Sequence, residues 1–264
     1  MPVTPINLAV TNITPTSARF GWELTPLIVL IRSLFGAGEQ GAFYIPKPVV
    51  NGAQALFQDA AGTVAVTADG DPVGRMLDQS GNGNHAIQTV SGSRPVYRTD
   101  GTLHWLEGDG VDDVLDTVVF ARLDGTVSLT CGVSVRYTNT GGARQSVLAN
   151  RDNYPFDRFK VQFVGNPAQI NLSGKTLSAQ AQVGANVTIQ SHQLSDSGDA
   201  SVNGNVESIT GMTVFFRFPI SLMAGGSSGS VGFTGRFYGG YFVRDNLSGI
   251  TSEADNYLAS LARG

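Results

Sequence analysis

Two short stretches hold residue types at spacings that could do chemistry. The first is DQSGNGNHAIQ, residues 78–88. Gly81 and Gly83 can take positive φ, and Asn82 and Asn84 tolerate it and can bond their own backbone. A loop of this kind can cradle a ligand, hold a metal or simply turn the chain. It is no phosphate loop, because the Lys and Ser/Thr that follow such a loop are missing and no helix is expected after it. His85 is a candidate metal ligand or base, but no cysteine and no second histidine lies near it in sequence. A bent connection into a strand at HAIQ accounts for the same residues without a ligand.

The second stretch is LHWLEGDGVDDVLD, residues 103–116. On a strand, Glu107 and Asp109 share one face about 7 Å apart, since the rise is roughly 3.3 Å per residue. Two carboxylates at such a separation suit glycoside hydrolysis, one as acid and one as nucleophile or base. Gly108 and Gly110 break the strand, however, and Asp carboxylates in turns usually accept from backbone N–H groups. Clustered carboxylates also suit calcium, for which Asp109, Asp112 and Asp113 are the candidates. Turn, calcium and catalysis thus remain three readings of one cluster. No serine stands in a GxSxG elbow, and the three histidines, His85, His104 and His192, are spread along the chain. Tyr154, Phe156 and Tyr238 are candidates for stacking against sugar rings, although most aromatics of a sandwich belong to its core.

The elements that must position these residues are mostly strands. Plentiful Gly and 14% charged residues favour short strands and tight turns over long amphipathic helices. VSLTCGVSVRYT, FDRFKVQFV, INLSG, NVTIQSHQLS, DASVNGNV, ISLMAGG and RFYGGYFVR all read as strands. Asn203-Gly204 is the strongest hairpin signal, because a type I′ turn needs positive φ at both central residues. Helical spacing is confined to Leu27, Leu30, Ile31 and Leu34, stopped by Gly36, and to Ile250, Ala254, Tyr257, Leu258 and Leu261 with Ser252 as the N-cap. Cys131 is the only cysteine and sits in a strand pattern that predicts burial, so no internal disulfide is available.

Charge and hydropathy narrow the classes of function. A net charge of −4 with scattered arginines argues against nucleic-acid or anionic-membrane binding. LIVLI is far shorter than the roughly 20 residues that span a bilayer. The N-terminus MPVTPINLAV lacks the pattern of a secretory signal, so synthesis in a reducing cytoplasm is expected. Residues 6–23 alternate in polarity as two strands, which resemble the opening strands of a fibronectin type III domain. Two strands and a helix cannot bury a core alone and must pack on something else.

Taken together, GRMLDQSGNGNHAIQ, SRPVYR, LEGDGVDDVL, VNG and GRFYGGYFVRDNLSGITSEADNYLA resemble the concanavalin A-like lectin/glucanase domain. More narrowly, they resemble its laminin-G-like form in bacteriophage and prophage virion proteins. The resemblance runs from about Ser33 to the end. It implies an all-β fold, a two-sheet antiparallel jelly-roll β-sandwich over 41–264 with a C-terminal helix, preceded by an anchoring segment at 1–40. Both turn motifs are then architectural. Glucanases of this superfamily carry an ExDxxE strand motif, whereas this chain has Glu107, Asp109 and, in place of the last Glu, Asp112. The resemblance implies a virion surface protein, a tail-fibre or receptor-binding component touching host glycans. A homotrimer held to other virion proteins through 1–40, with no catalytic residues, no enzyme activity and no cofactor beyond a possible calcium, completes this expectation. The alternatives are a capsid decoration or head-fibre protein and, less simply, a polysaccharide hydrolase using Glu107 and Asp109.

Overall fold

The computed structural model describes residues 25–117, 128–139, 141, 144–150, 160–193, 197–210, 220–223, 232–244 and 252–263. In chain order the first elements are α1 (Pro26–Phe35), β1 (Gln40–Tyr44), β2 (Val49–Val50), β3 (Ala53–Gln54), β4 (Leu56–Phe57), β5 (Arg75–Met76) and β6 (Ala86–Ile87). Then come β7 (Val96–Thr99), β8 (His104–Asp109), β9 (Leu115–Asp116), β10 (Leu129–Tyr137), β11 (Gln145–Asn150), β12 (Lys160–Val164) and β13 (Ala168–Leu172). The remainder is β14 (Lys175–Ala181), β15 (Asn186–Gln193), β16 (Ser197–Val202), β17 (Asn205–Thr210), β18 (Ile220–Leu222), β19 (Thr234–Arg244) and α2 (Ser252–Leu261).

Most of these strands form two antiparallel sheets, ordered β17-β16-β15-β10-β19-β8-β7, with β1 also paired to β19, and β14-β13-β12-β11-β18-β9-β6-β5-β4, while β2 and β3 make a separate two-stranded hairpin. The chain is therefore an all-β sandwich with a C-terminal helix, as its sequence implies. β19 is the hinge of the first sheet: one edge pairs with β10 along its length, while the other pairs with β1 at 240–244 and with β8 at 234–237. Alternation places Val133, Val135, Ile189, Phe237 and Phe242 on the inner face, where they meet Phe163, Ile170 and Leu222 of the second sheet. Cys131 lies in this layer at 1% exposure, and desolvation pushes its thiol pKa up to about 12.

Asn203-Gly204 makes the expected hairpin, with φ of 52° and 83° between paired Val202 and Asn205. The outer face of the first sheet is covered by both helices. Leu30 and Leu34 of α1 and Ala254 and Leu258 of α2 bury Phe43, Tyr241 and Val243 in a second apolar layer. α1 runs where the sequence spacing predicts, its N-cap Thr25 accepting from Ile28 N. α2 begins at Ser252 itself, one residue earlier than the N-cap reading placed it. Residues 6–23, read as a fibronectin-like pair of strands, lie outside the described residues.

Candidate functional site

The Asp78–Gln88 stretch folds into a knot that ties a turn to β1. The buried Asp78 carboxylate accepts from Ser80 N at 2.8 Å, Phe43 N at 2.9 Å, Asn84 N at 3.0 Å and the Ser80 hydroxyl at 2.8 Å. Asn82 and Asn84 donate their amide hydrogens to the Gly41 carbonyl, at 3.2 and 2.7 Å, and the Tyr44 hydroxyl donates to the Asn84 carbonyl. Only Gly81 and Gly83 take positive φ there, so the asparagines contribute side chains rather than unusual backbone, contrary to the sequence reading. His85 Nδ1 accepts from Asp78 N at 3.1 Å, and burial, followed by the charge on Arg75, lowers its pKa. The Asp78 carboxylate, the Asn82 and Asn84 side-chain amides and His85 Nδ1 are thus all used inside the protein.

The acidic stretch is a second turn. Asp113 accepts from Asp109 N at 2.9 Å, Asp109 from Val111 N at 2.7 Å, and Asp112 from the Ser93 hydroxyl at 2.6 Å. The three carboxylates each bring an oxygen within 4.8 Å of the others, with Asp109 and Asp112 exposed and Asp113 buried. Desolvation first, and then the charges of Asp109 and Asp112, raise the Asp113 pKa to about 6. Such a cluster sheds its repulsion by binding a proton or a hard cation, and oxygen-only donors suit calcium.

Glu107 and Asp109 lie on β8 as expected, but both are engaged. Glu107 accepts from Arg98 Nε at 2.9 Å, Arg98 also reaches Asp69 at 3.3 Å, and Asp109 caps its own turn. The guanidinium of Arg236 stands 4.2 Å over the ring of Trp105 beside them. The Arg98 guanidinium therefore occupies the Glu107 carboxylate in an ion pair, and the two acids are not presented together as a free pair. Of the sugar-stacking candidates, Tyr238 is corrected: it is 1% exposed, wedged against Trp105 and Ala262, with its hydroxyl 3.3 Å from Asn186 Oδ1. It is the residue passed over where the β10–β19 register shifts, and it packs with Trp105 and Ala262 near the end of α2, which sequence spacing did not reveal. Tyr154 and Phe156 lie outside the described residues.

A cleft of about 410 Å³ opens on the helix-covered face. It is bounded by the start of α1, the β2–β3 hairpin, the turn between β7 and β8, and the last turns of α2. Its polar wall includes Lys47, Asn51, Thr102, His104 and Ser260. Leu103, Leu261 and Tyr257 supply apolar surface. Asp100 fixes the β7–β8 turn by accepting from Leu103 N at 2.8 Å and Thr102 N at 3.0 Å, and those bonds lower its pKa. Asn51-Gly52 fixes the hairpin with φ of 50° and 80°. His104 shares a 2.6 Å hydrogen bond between Nδ1 and the Tyr97 hydroxyl, and burial, then Lys47, lower its pKa. Of the residues lining the cleft, only Tyr238, which contributes from a buried position in the wall, was a sugar-binding candidate in the sequence. The Asn51-Gly52 dipeptide was visible there as a hairpin signal, but nothing local says that four distant segments meet.

No family model matches this chain, and no curated protein matches it. Solved structures do. A Trypanosoma rangeli sialidase in complex with 2-keto-3-deoxy-D-glycero-D-galacto-2,3-difluoro-nononic acid aligns with a TM-score of 0.50 at 9% identity, over 90% of this chain and 39% of that one. An arabinofuranosidase complexed with arabinofuranosyl-alpha-1,2-xylobiose gives 0.49 at 13% identity, over 72% of this chain and 50% of that one. Domain 4 of AbnA, a GH43 extracellular arabinanase from Geobacillus stearothermophilus in complex with arabinotriose, gives 0.44 at 12% identity, over 70% and 91%. The chain thus spans half or less of the sialidase and arabinofuranosidase chains. At these identities the likeness concerns the fold, a β-sandwich of the kind found in carbohydrate-active and carbohydrate-binding proteins. It also corrects one expectation. The structure that aligns at 0.50 is a sialidase, an enzyme, so the reading that this chain is no enzyme is withdrawn.

Proposed function

We propose that the chain is a bacteriophage virion protein displayed at the particle surface, a tail-fibre or receptor-binding component whose sandwich binds host carbohydrate. The observation that carries the reading is the Asp78 knot. The DxSGNGNHA motif acts as a structural turn tied to β1, in keeping with the architectural role that the virion-type lectin resemblance implies. The Asp109–Asp113 turn and the passage from β19 to α2 follow in the order of that resemblance. Residues 1–40 join the protein to the particle as a homotrimer, and three weak sugar contacts then act together, since linked sites raise avidity without new contacts. A calcium ion at Asp109, Asp112 and Asp113 belongs to the same proposal.

The test is electron cryomicroscopy of particles carrying the protein, paired with a glycan array and an assay for released reducing sugar. Threefold density at a tail tip with array binding is the expected result. Density on capsid symmetry axes overturns the receptor reading in favour of decoration or a head fibre. Release of reducing ends makes the chain a polysaccharide hydrolase whose carboxylates must be sought beyond the Arg98-bound Glu107.

A further inference from the structure

We infer that the cleft between α1, the β2–β3 hairpin and α2 is a binding site for a short acidic saccharide, with Lys47 meeting its carboxylate. The inference rests on the carbohydrate reading above and names the site and ligand class within it.

Three observations carry it. The first is size: about 410 Å³ falls inside the range of roughly 300–1,000 Å³ in which pockets enclose small ligands. The second is charge. Lys47 is the one residue lining the cleft that is charged at neutral pH, and no carboxylate lines it. Both ion pairs among the described residues belong to Arg98, on another part of the sheet, so the Lys47 ammonium has no acidic partner there. A lone cation on a concave wall concentrates anions. One cation with no second beside it suits a singly charged carboxylate better than a doubly charged phosphate.

The third observation is the pattern of neutral groups. His104 has its Nδ1 tied to the Tyr97 hydroxyl, which leaves Nε2 for a ligand, and the lowered pKa keeps the ring uncharged at neutral pH. Asn51, Thr102 and Ser260 stand exposed at the rim with amide and hydroxyl groups. Leu103, Leu261 and Tyr257 offer apolar surface to the C–H face of a sugar ring. One carboxylate, several hydroxyls and one apolar face together describe a sugar acid.

The experiment is an NMR titration of the ¹⁵N-labelled full chain with galacturonate, galactose and acetate. Galacturonate is expected to shift the amides of Asn51, Thr102 and His104 and to bind about fivefold more tightly than either control, the usual scale for one exposed charge contact. Lys47→Gln should erase the preference over galactose. Ser260→Trp should block all binding with an unchanged melting temperature. Equal binding of acetate makes the cleft a simple anion site and overturns the sugar; equal binding of galactose overturns the role of Lys47. Perturbation elsewhere, or none, overturns the site. Glycan-array binding that survives Ser260→Trp leaves the proposed function standing and removes only the cleft, whereas silence in both assays removes both.

Discussion

Asp78 shows how one residue can look functional and be structural. Its carboxylate holds four donors inside the protein, so Asp78→Ala leaves buried N–H groups unpaired and should destabilise the fold by about 3 kcal/mol in urea denaturation. A change below about 1 kcal/mol would mean that water replaces the carboxylate and the knot is looser than it looks. Asp113 makes an opposite prediction. Its pKa is raised to about 6 in the folded state, so the native protein binds this proton more tightly than the unfolded chain does. Stability from this group therefore rises as pH falls through 6 towards the unfolded value, and the ionised form weakens the fold above pH 6. Asp113→Asn should raise the melting temperature near pH 8, with the gain fading by about pH 4. A calcium ion in the cluster would do the same work by another route. On that account millimolar calcium, in the range of weak extracellular sites, raises the melting temperature of the natural protein near pH 8 but not that of Asp113→Asn. An absence of any calcium shift would end the calcium assignment.

Between residues and fold stand the contacts of helix with sheet. Gly132 of β10 lies directly beneath α2: a Cβ there would come within 2.6 Å of Tyr241 Cε1 and 2.8 Å of Leu258 Cδ1. Gly132→Ala should therefore lift α2 or displace Tyr241, a cost of about 1–3 kcal/mol by overpacking. Thermal denaturation measures it, and a neutral result would show that α2 rides loosely on the sheet. The need for glycine at 132 is invisible in VSLTCGVSV, because it arises from a helix more than a hundred residues later in the chain. The same holds for the cleft. Strand alternation, the two helices and the Asn203-Gly204 hairpin were legible because each depends on a few neighbouring residues. Burial of Tyr238, pairing of Glu107 with Arg98, and the meeting of Lys47 with His104 depend on which strands lie side by side, and periodicity carries no such information.

At the scale of the whole molecule, the sandwich leaves the role of residues 1–40 to be tested as assembly. Light scattering coupled to size-exclusion chromatography should return three copies of the full chain, and a monomer would remove both the trimer and the multivalent argument built on it.

The position of β19 has one more consequence. It lies between β10 on one side and β1 and β8 on the other, yet it is the last strand among the described residues to be synthesised. The first sheet cannot close until residues 234–244 have left the ribosome, so β1, β8 and β10 emerge with their central partner missing. Long-range pairing of this kind folds slowly and leaves unpaired edges open in the interval. A nascent chain stalled before residue 234 is therefore the species that would present those open edges to a chaperone or a neighbouring copy.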